Sequence, residues 1–525
     1  MLRESISLGL LLLLSGPLVA QPIDFSYLET RAEATDYSET TRYDEVVAFS
    51  EIVAKGSDRL FKATFGYTSE GRALPLVVFG DVDDATPGAV LASGKTRVFV
   101  QANIHAGEVC GKEAMLMLLR SLAAGQHAEW ADSLVLLIAP IYNADGNERI
   151  NLRNRPRQNG PMGGMGQRPN AQGYDLNRDH MKLDSPEARS LVRLFTRYDP
   201  HVVVDLHTTN GTYHGYHLTY SPPLHPNTPD GIDTYLRQVW LPAVTQRIKE
   251  EYGWDYYYYG NVPRRGEPGW YTFDHRPRFN NNYTGLRNRF AILSEAYSYA
   301  TFEERVLASL YFVEEILTFA HVHAGEIREI TRRADAEPII GRDLAVRARH
   351  KQSEEPVDIL LGAVEAVKHP FTGATVLQRL DVQKTRSMYE YGRFEPTEVA
   401  SVPRAYLIPE DQSAVLDRLE AHGIHFRRLR ADSTIRVERF RVDSTQVAGR
   451  EYQGHHARTW FGTYEQADLT IPSGMILVST DQPLGRLLFY LLEPRSDDGL
   501  ASWGLVEPAG DTQDYYPILR LSAEP

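Results

Sequence analysis

From about residue 40 to residue 325, short apolar runs alternate with stretches of helical periodicity. Arg97–Ile104 reads as a strand, followed by a helix around Lys112–Leu122. Further strands are expected at Leu134–Ala139, Val202–Leu206 and Phe290–Ser294, the last leading into a helix over Glu303–Phe319. Continuous β-branched and leucine runs mark strands buried on both faces, and the intervening helices supply the covering layers. The pattern predicts an α/β fold with a central mixed β-sheet sandwiched by helices.

The texture changes near residue 326. Glu326–Glu355 is highly charged with few large apolar clusters, which suits a boundary. After Ala400, short strands and turn signals dominate, as in Ile471–Val478 and Leu484–Leu492, with one helix near Gln412–Ala421. The expected organisation is a large α/β domain over residues 21–325, then a linker and a smaller β-rich accessory domain over 326–525. The first twenty residues stand apart. Arg3 precedes the apolar run Leu8–Leu14, Ser15-Gly16-Pro17 breaks it, and Leu18-Val19-Ala20 ends in a small residue. This is the pattern of a secretory signal cleaved near Ala20, so a secreted or periplasmic protein is expected. No later run approaches the ~20 apolar residues of a membrane span.

Composition narrows the chemistry. The 525-residue chain has a net charge of −13, which argues against a nucleic-acid binder that needs excess Lys and Arg. A single cysteine, Cys110, excludes an internal disulfide framework, a cysteine-rich zinc site and an iron–sulfur cluster. Any metal must be held by His and carboxylates.

His105-Ala106-Gly107-Glu108 offers such a pair. Ligands at i and i+3 on one helical turn face the same side. The pair alone is weak evidence among 17 histidines, and the same tetrapeptide recurs at His323–Glu326. Context separates them: His105 follows an apolar strand, at the carboxyl end where open α/β sheets place ligands, whereas His323 ends a long amphipathic helix. His207 ends the strand Val202–Leu206, and Glu295 ends the strand Phe290–Ser294. His105, Glu108 and His207 therefore make a three-ligand zinc site with a fourth position for water, and Glu295 is placed to take the water's proton. Arg149, Arg153, Arg155 and Arg157 cluster before the loop Gly160–Gly166, either as a solvated basic loop or facing a substrate. Asn177 and Arg178 can grip a carboxylate, and Asp175 can orient a metal-bound imidazole. His214 and His217 lie past a strand end and read as loop residues, and the run Tyr256–Tyr259 as a packed strand or loop.

Together these segments resemble the zinc carboxypeptidases of the carboxypeptidase A and T type, as a bacterial secreted member. The matching motifs run in family order: H-A-G-E at 105–108, D-L-N-R at 175–178, D-L-H at 205–207 and L-S-E-A-Y at 293–297. The resemblance implies one zinc ion held by His105, Glu108 and His207, with Glu295 as general base. It implies that Asn177 and Arg178 bind the substrate's terminal carboxylate and that Asp175 stands behind the first histidine. Arg157 is the substitute for the family's carbonyl-polarising arginine, and Tyr283, rather than Tyr271, for the tyrosine that closes over the substrate. Where such enzymes commonly carry an arginine before the metal-binding Glu, this chain has Gly107. The implied activity is hydrolysis of the C-terminal peptide bond of peptides with a free carboxylate. The alternative is an N-acyl amino acid deacylase of the aspartoacylase or succinylglutamate desuccinylase type, which shares several of these elements.

Overall fold

A computed structural model describes residues 24–209, 211–507 and 514–522. The signal-like segment 1–20 lies outside the described residues. The central sheet is built from β1 (Leu60–Tyr67), β2 (Ala73–Phe79), β3 (Thr96–Ala102), β4 (Leu134–Ala139), β5 (Val202–Thr209), β6 (Leu218–Ser221) and β7 (Tyr256–Tyr258). After the two-residue β8 (Trp270–Tyr271), β9 (Phe290–Tyr297) completes it. The order is β1-β2-β4-β3-β5-β9-β6-β7. β4, β3, β5 and β9 run parallel, while β1, β2 and β6 enter antiparallel pairs, so the sheet is mixed. Every residue of β3, β4 and β5 is buried, the burial expected of strands covered by helices on both faces.

Those helices start where local chemistry allows. Thr301 and Glu304 form a reciprocal cap on the helix Phe302–Val322, which packs against the helix Cys110–Ala123. Strand order reverses beside β3, since the chain moves from β3 to β4 on one side and then to β5 on the other. Carboxyl ends at such a reversal leave a crevice where ligands bind.

The charged segment after residue 326 begins as a helix, Ala324–Asp335, whose Ile327, Thr331 and Ala334 are buried. Beyond it lie β10 (Asp343–Lys351) paired with β14 (Arg393–Ser401), and the hairpin of β11 (Val357–Lys368) with β12 (Thr375–Met388). The short β13 (Glu390–Tyr391) pairs with β8. A six-stranded sheet carries the long hairpin of Ser433–Val447 with Arg458–Ile471. The C-terminal region is thus β-rich, but its buried apolar residues are continuous with those of the first sheet.

Two expected strands differ. Leu484–Leu492 is not a strand: Gly485–Leu492 is a helix with all eight residues buried. A short run that is apolar but for Arg486 has too little periodicity to separate strand from helix, and this one has no β-branched residue to favour a strand. Ile471–Val478 is interrupted, because one strand ends at Ile471, Gly474 turns at φ +96°, and another begins at Ile476.

Candidate metal centre

His105 and Glu108 lie on a turn just after β3, not within a helix. The turn is closed by the Glu108 N–H donating to the His105 carbonyl at 2.8 Å, and the helix begins at Cys110. The i, i+3 spacing still brings the two side chains together. His105 Nδ1 lies 3.1 Å from Glu108 Oε1, and His207 Nδ1 lies 2.9 Å from Glu108 Oε2. One donor atom from each of His105, Glu108 and His207 falls within 4.8 Å of the others, and all three residues are buried.

The outward-facing ring nitrogens are held by carboxylates. His105 Nε2 is 3.0 Å from Asp175 Oδ1, and His207 Nε2 is 3.0 Å from Asp205 Oδ2. Both imidazoles thus turn Nδ1 toward Glu108, the arrangement in which a carboxylate fixes the tautomer of a metal-ligating histidine. Burial opposes ionisation of Asp175, but His105 and the guanidiniums of Arg168 and Arg178 hold it well below the usual carboxylate range. Burial likewise opposes ionisation of Glu108, which His105, Arg155 and His207 keep ionised. Two imidazoles and one ionised carboxylate, drawn together without cysteine, fit zinc.

Glu295 sits beside this group because β5 and β9 pair in parallel register, His207 opposite Glu295. Its Oε2 is buried with no hydrogen-bond partner among the described residues. Burial pushes its carboxyl up to about 8, Glu108 adds to the rise, and His207 with Arg168 oppose it. A cation at the three ligands would favour the ionised form and reverse that local balance.

A cavity of about 150 Å³ opens over the group. Asn177 and Arg178 line it. Asn177 Oδ1 accepts from the Asn280 N–H at 2.9 Å, and the Arg178 guanidinium lies 3.9 Å above the Phe279 ring. Arg157 does not line it and is exposed. Arg155 and Arg168 do. Arg155 donates to Glu108 Oε1, and Arg168 donates to Asp175 Oδ2 at 2.8 and 2.9 Å. Gly107 explains the first contact, since a Cβ there would stand 2.9 Å from Arg155 Nε and 2.8 Å from the Gly166 carbonyl. Arg155 therefore occupies the space that a side chain at 107 would fill.

Tyr283 is also outside the cavity. It is fully buried, with its hydroxyl 2.8 Å from His422 Nδ1 and 3.1 Å from Arg287. Tyr271 stacks on Tyr391. The tyrosine that does line the cavity is Tyr259, one residue past β7, whose hydroxyl accepts from Asn261 Nδ2 at 3.0 Å. The run Tyr256–Tyr259 thus splits at the end of the edge strand. Asp205 carried a readable signal, because a residue two before His207 in a strand shares its face; Arg168 and Tyr259 carried none beyond type.

The remaining candidates are structural. His214 is packed against Tyr297 and Tyr216, and His217 stacks on Trp254 at 4.5 Å. His323 pairs with Glu326 at 3.3 Å at a helix junction. Cys110 is buried, its sulfur 3.1 Å from Thr208 Oγ1.

Residues 46–274 match the zinc carboxypeptidase family. The chain carries a zinc carboxypeptidase domain. The chain is 27% identical over 480 residues to Carboxypeptidase 2 of Trichophyton equinum, covering 88% of this chain and 82% of that one. It is 26% identical over 474 residues to Carboxypeptidase 2 of Trichophyton rubrum, covering 86% and 81%. Both relatives are fungal, and the bacterial qualifier of the sequence resemblance is not supported. Carboxypeptidase A of Helicoverpa armigera superposes with a TM-score of 0.41 at 16% identity, covering 57% of this chain and 77% of that one. No helix among the described residues is long and apolar enough to cross a membrane.

Proposed function

We propose that this zinc carboxypeptidase releases the C-terminal residue of peptides bearing a free carboxylate, with Glu295 as the general base. The observation that carries this reading is the partly buried Glu295, whose buried Oε2 has no hydrogen-bond partner among the described residues, on the wall shared with His105, Glu108 and His207. These three residues would hold the zinc, with Asp175 and Asp205 fixing the two imidazoles. Bound zinc supplies a Lewis acid that acidifies water and polarises a carbonyl.

Asn177 and Arg178 grip the terminal carboxylate, and the Phe279 ring keeps the guanidinium in place. Glu295 takes a proton from water as the water oxygen bonds to the last peptide carbonyl carbon. It then gives that proton to the amine as the carbon–nitrogen bond breaks. Arg155 and Arg168, rather than Arg157, present positive charge where the carbonyl oxygen becomes negative. Tyr259 takes the place first assigned to Tyr283 as the tyrosine facing the substrate. The family match and the fungal carboxypeptidases favour this chemistry over N-acyl amino acid deacylation. Export rests on the signal pattern of residues 1–20. The test is hydrolysis of free-carboxylate peptides beside their amides. Release of single residues from the acids alone supports the clamp, and equal cleavage of both overturns it.

A further inference from the structure

A second cleft, of about 590 Å³, lies beside the metal cavity: Arg178 and Phe279 line both. Its far wall comes from outside the matched family segment, from the loop that joins Ser433–Val447 to Arg458–Ile471. That loop is anchored on the carboxylate-binding segment. Gln453 Oε1 accepts from the Asp175 N–H at 2.8 Å, and His455 Nε2 lies 2.7 Å from Asp184 Oδ2. The Arg278 guanidinium lies 5.4 Å above the Tyr452 ring.

The charge of this cleft is opposite to that of the chain. Six arginines and two aspartates line it, in a protein of net charge −13. Several of these charges are already balanced. Arg278 is paired with Asp498 at 2.6 Å, Arg276 is paired with Asp274, and Arg347 lies 3.2 Å from Glu398. Asp497 lies 3.4 Å from His275 and accepts from the Tyr490 hydroxyl. Arg450 and Arg458 differ. Neither has an ion pair among the described residues, and Arg458 lies only over the Trp460 ring. Two guanidiniums that line one cleft without an ion pair among the described residues suit a carboxylate, which the planar fork can bind in bidentate fashion.

With the terminal carboxylate on Asn177 and Arg178, the side chain of the same residue leaves from the adjacent carbon. Arg178 and Phe279 line both cavities, so the second cleft is the neighbouring space toward which that side chain can extend. We propose that this cleft is the subsite for the side chain of the released residue, and that Arg450 and Arg458 select an acidic one, glutamate or aspartate. The proposal rests on the carboxypeptidase reading and adds its substrate class. It also gives the C-terminal region a role, since that region supplies both selecting residues.

The test compares kcat/KM for matched N-blocked dipeptides ending in Glu, Gln, Leu or Arg. Glu is expected to exceed Gln at least tenfold, the preference shrinking as salt rises. The Glu-to-Gln ratio is expected to fall at least tenfold in the double variant Arg450→Gln/Arg458→Gln, and partly in Arg450→Gln alone, an exposed position where folding is not at stake. Equal rates for Glu and Gln, or a ratio untouched by the double variant, overturn the proposal while leaving carboxypeptidase activity standing. If no dipeptide is cleaved, the carboxypeptidase reading falls, and calorimetric binding of the Glu and Gln peptides to Glu295→Gln still reads the cleft. A Glu peptide bound no tighter than its Gln counterpart then overturns the proposal by itself, and tighter Glu binding lost in the arginine variants supports it.

Discussion

His207 and Glu295 are register partners across the parallel strands β5 and β9. Neighbouring strands lie about 4.8 Å apart, so one rung of the ladder sets a metal ligand beside a partly buried carboxylate. The pairing separates two roles that a variant can separate. Glu295→Gln keeps the shape and removes the proton acceptor. It is expected to retain one zinc per chain by elemental analysis while kcat falls by about 10²–10⁴. Near wild-type turnover in that variant would take Glu295 out of the mechanism.

Asp175 and Asp205 each hold the outward nitrogen of one imidazole at 3.0 Å. Asp175→Asn or Asp205→Asn should weaken zinc binding by about 10–100-fold, the usual cost of losing such a partner. Competition against a chelator of known affinity measures this. An unchanged zinc Kd in both variants would mean that the carboxylates do not orient the rings.

Gly107 admits Arg155. An alanine there would place its Cβ against Arg155 Nε and the Gly166 carbonyl, both closer than 3.0 Å. Gly107→Ala is therefore expected to lower kcat/KM as far as Arg155→Ala does, by about 10²-fold if Arg155 stabilises the oxyanion. The double variant should lose no more than either single one. Additive losses, measured by steady-state kinetics, would separate Gly107 from Arg155.

His422 offers a test of stability against pH. It is buried, accepts from the Tyr283 hydroxyl at 2.8 Å and reaches the Met181 carbonyl at 3.1 Å. Burial pushes its pKa down to about 3, with the Arg287, Arg418 and Arg189 guanidiniums in the same direction. The unfolded chain, with a histidine near 6.5, then binds the extra proton between pH 6.5 and about 3. Its contribution is complete above 6.5 and is lost as pH falls through that window, at about 1.4 kcal/mol per pH unit. Urea unfolding of His422→Gln should show a shallower loss of stability across the window than wild type. Parallel curves would contradict the neutral buried state.

Much of the fold was legible because burial on both sheet faces writes itself as uninterrupted apolar runs. β4 falls on the expected Leu134–Ala139, and β5 and β9 begin at the expected Val202 and Phe290. The helix Gly485–Leu492 was not legible, since an apolar run that short fits either structure until its neighbours are known. In the site, His105, Glu108, His207 and Glu295 could be named from sequence because each stands near or just past the carboxyl end of a strand, His207 and Glu295 two residues before the ends of β5 and β9. Arg155, Arg168 and Tyr259 could not, since they are brought in by loops whose paths depend on close approaches such as Gly107 against Arg155. Tyr283 shows the converse: its motif looked exposed to substrate, and only the C-terminal helix carrying His422 buries it.

The single cysteine, the apolar runs and the ordered His, Glu and Asp motifs by themselves determined an α/β sheet with a His and carboxylate metal site at its carboxyl edge. Strand ends bear fixed positions relative to the sheet, so local pattern is enough to place them. Tertiary structure alone decided which arginines and which tyrosine face the cavity, and that residues from the stretch 448–459 line the neighbouring cleft. Those choices depend on packing between segments far apart in the chain, whose relative placement no local periodicity records.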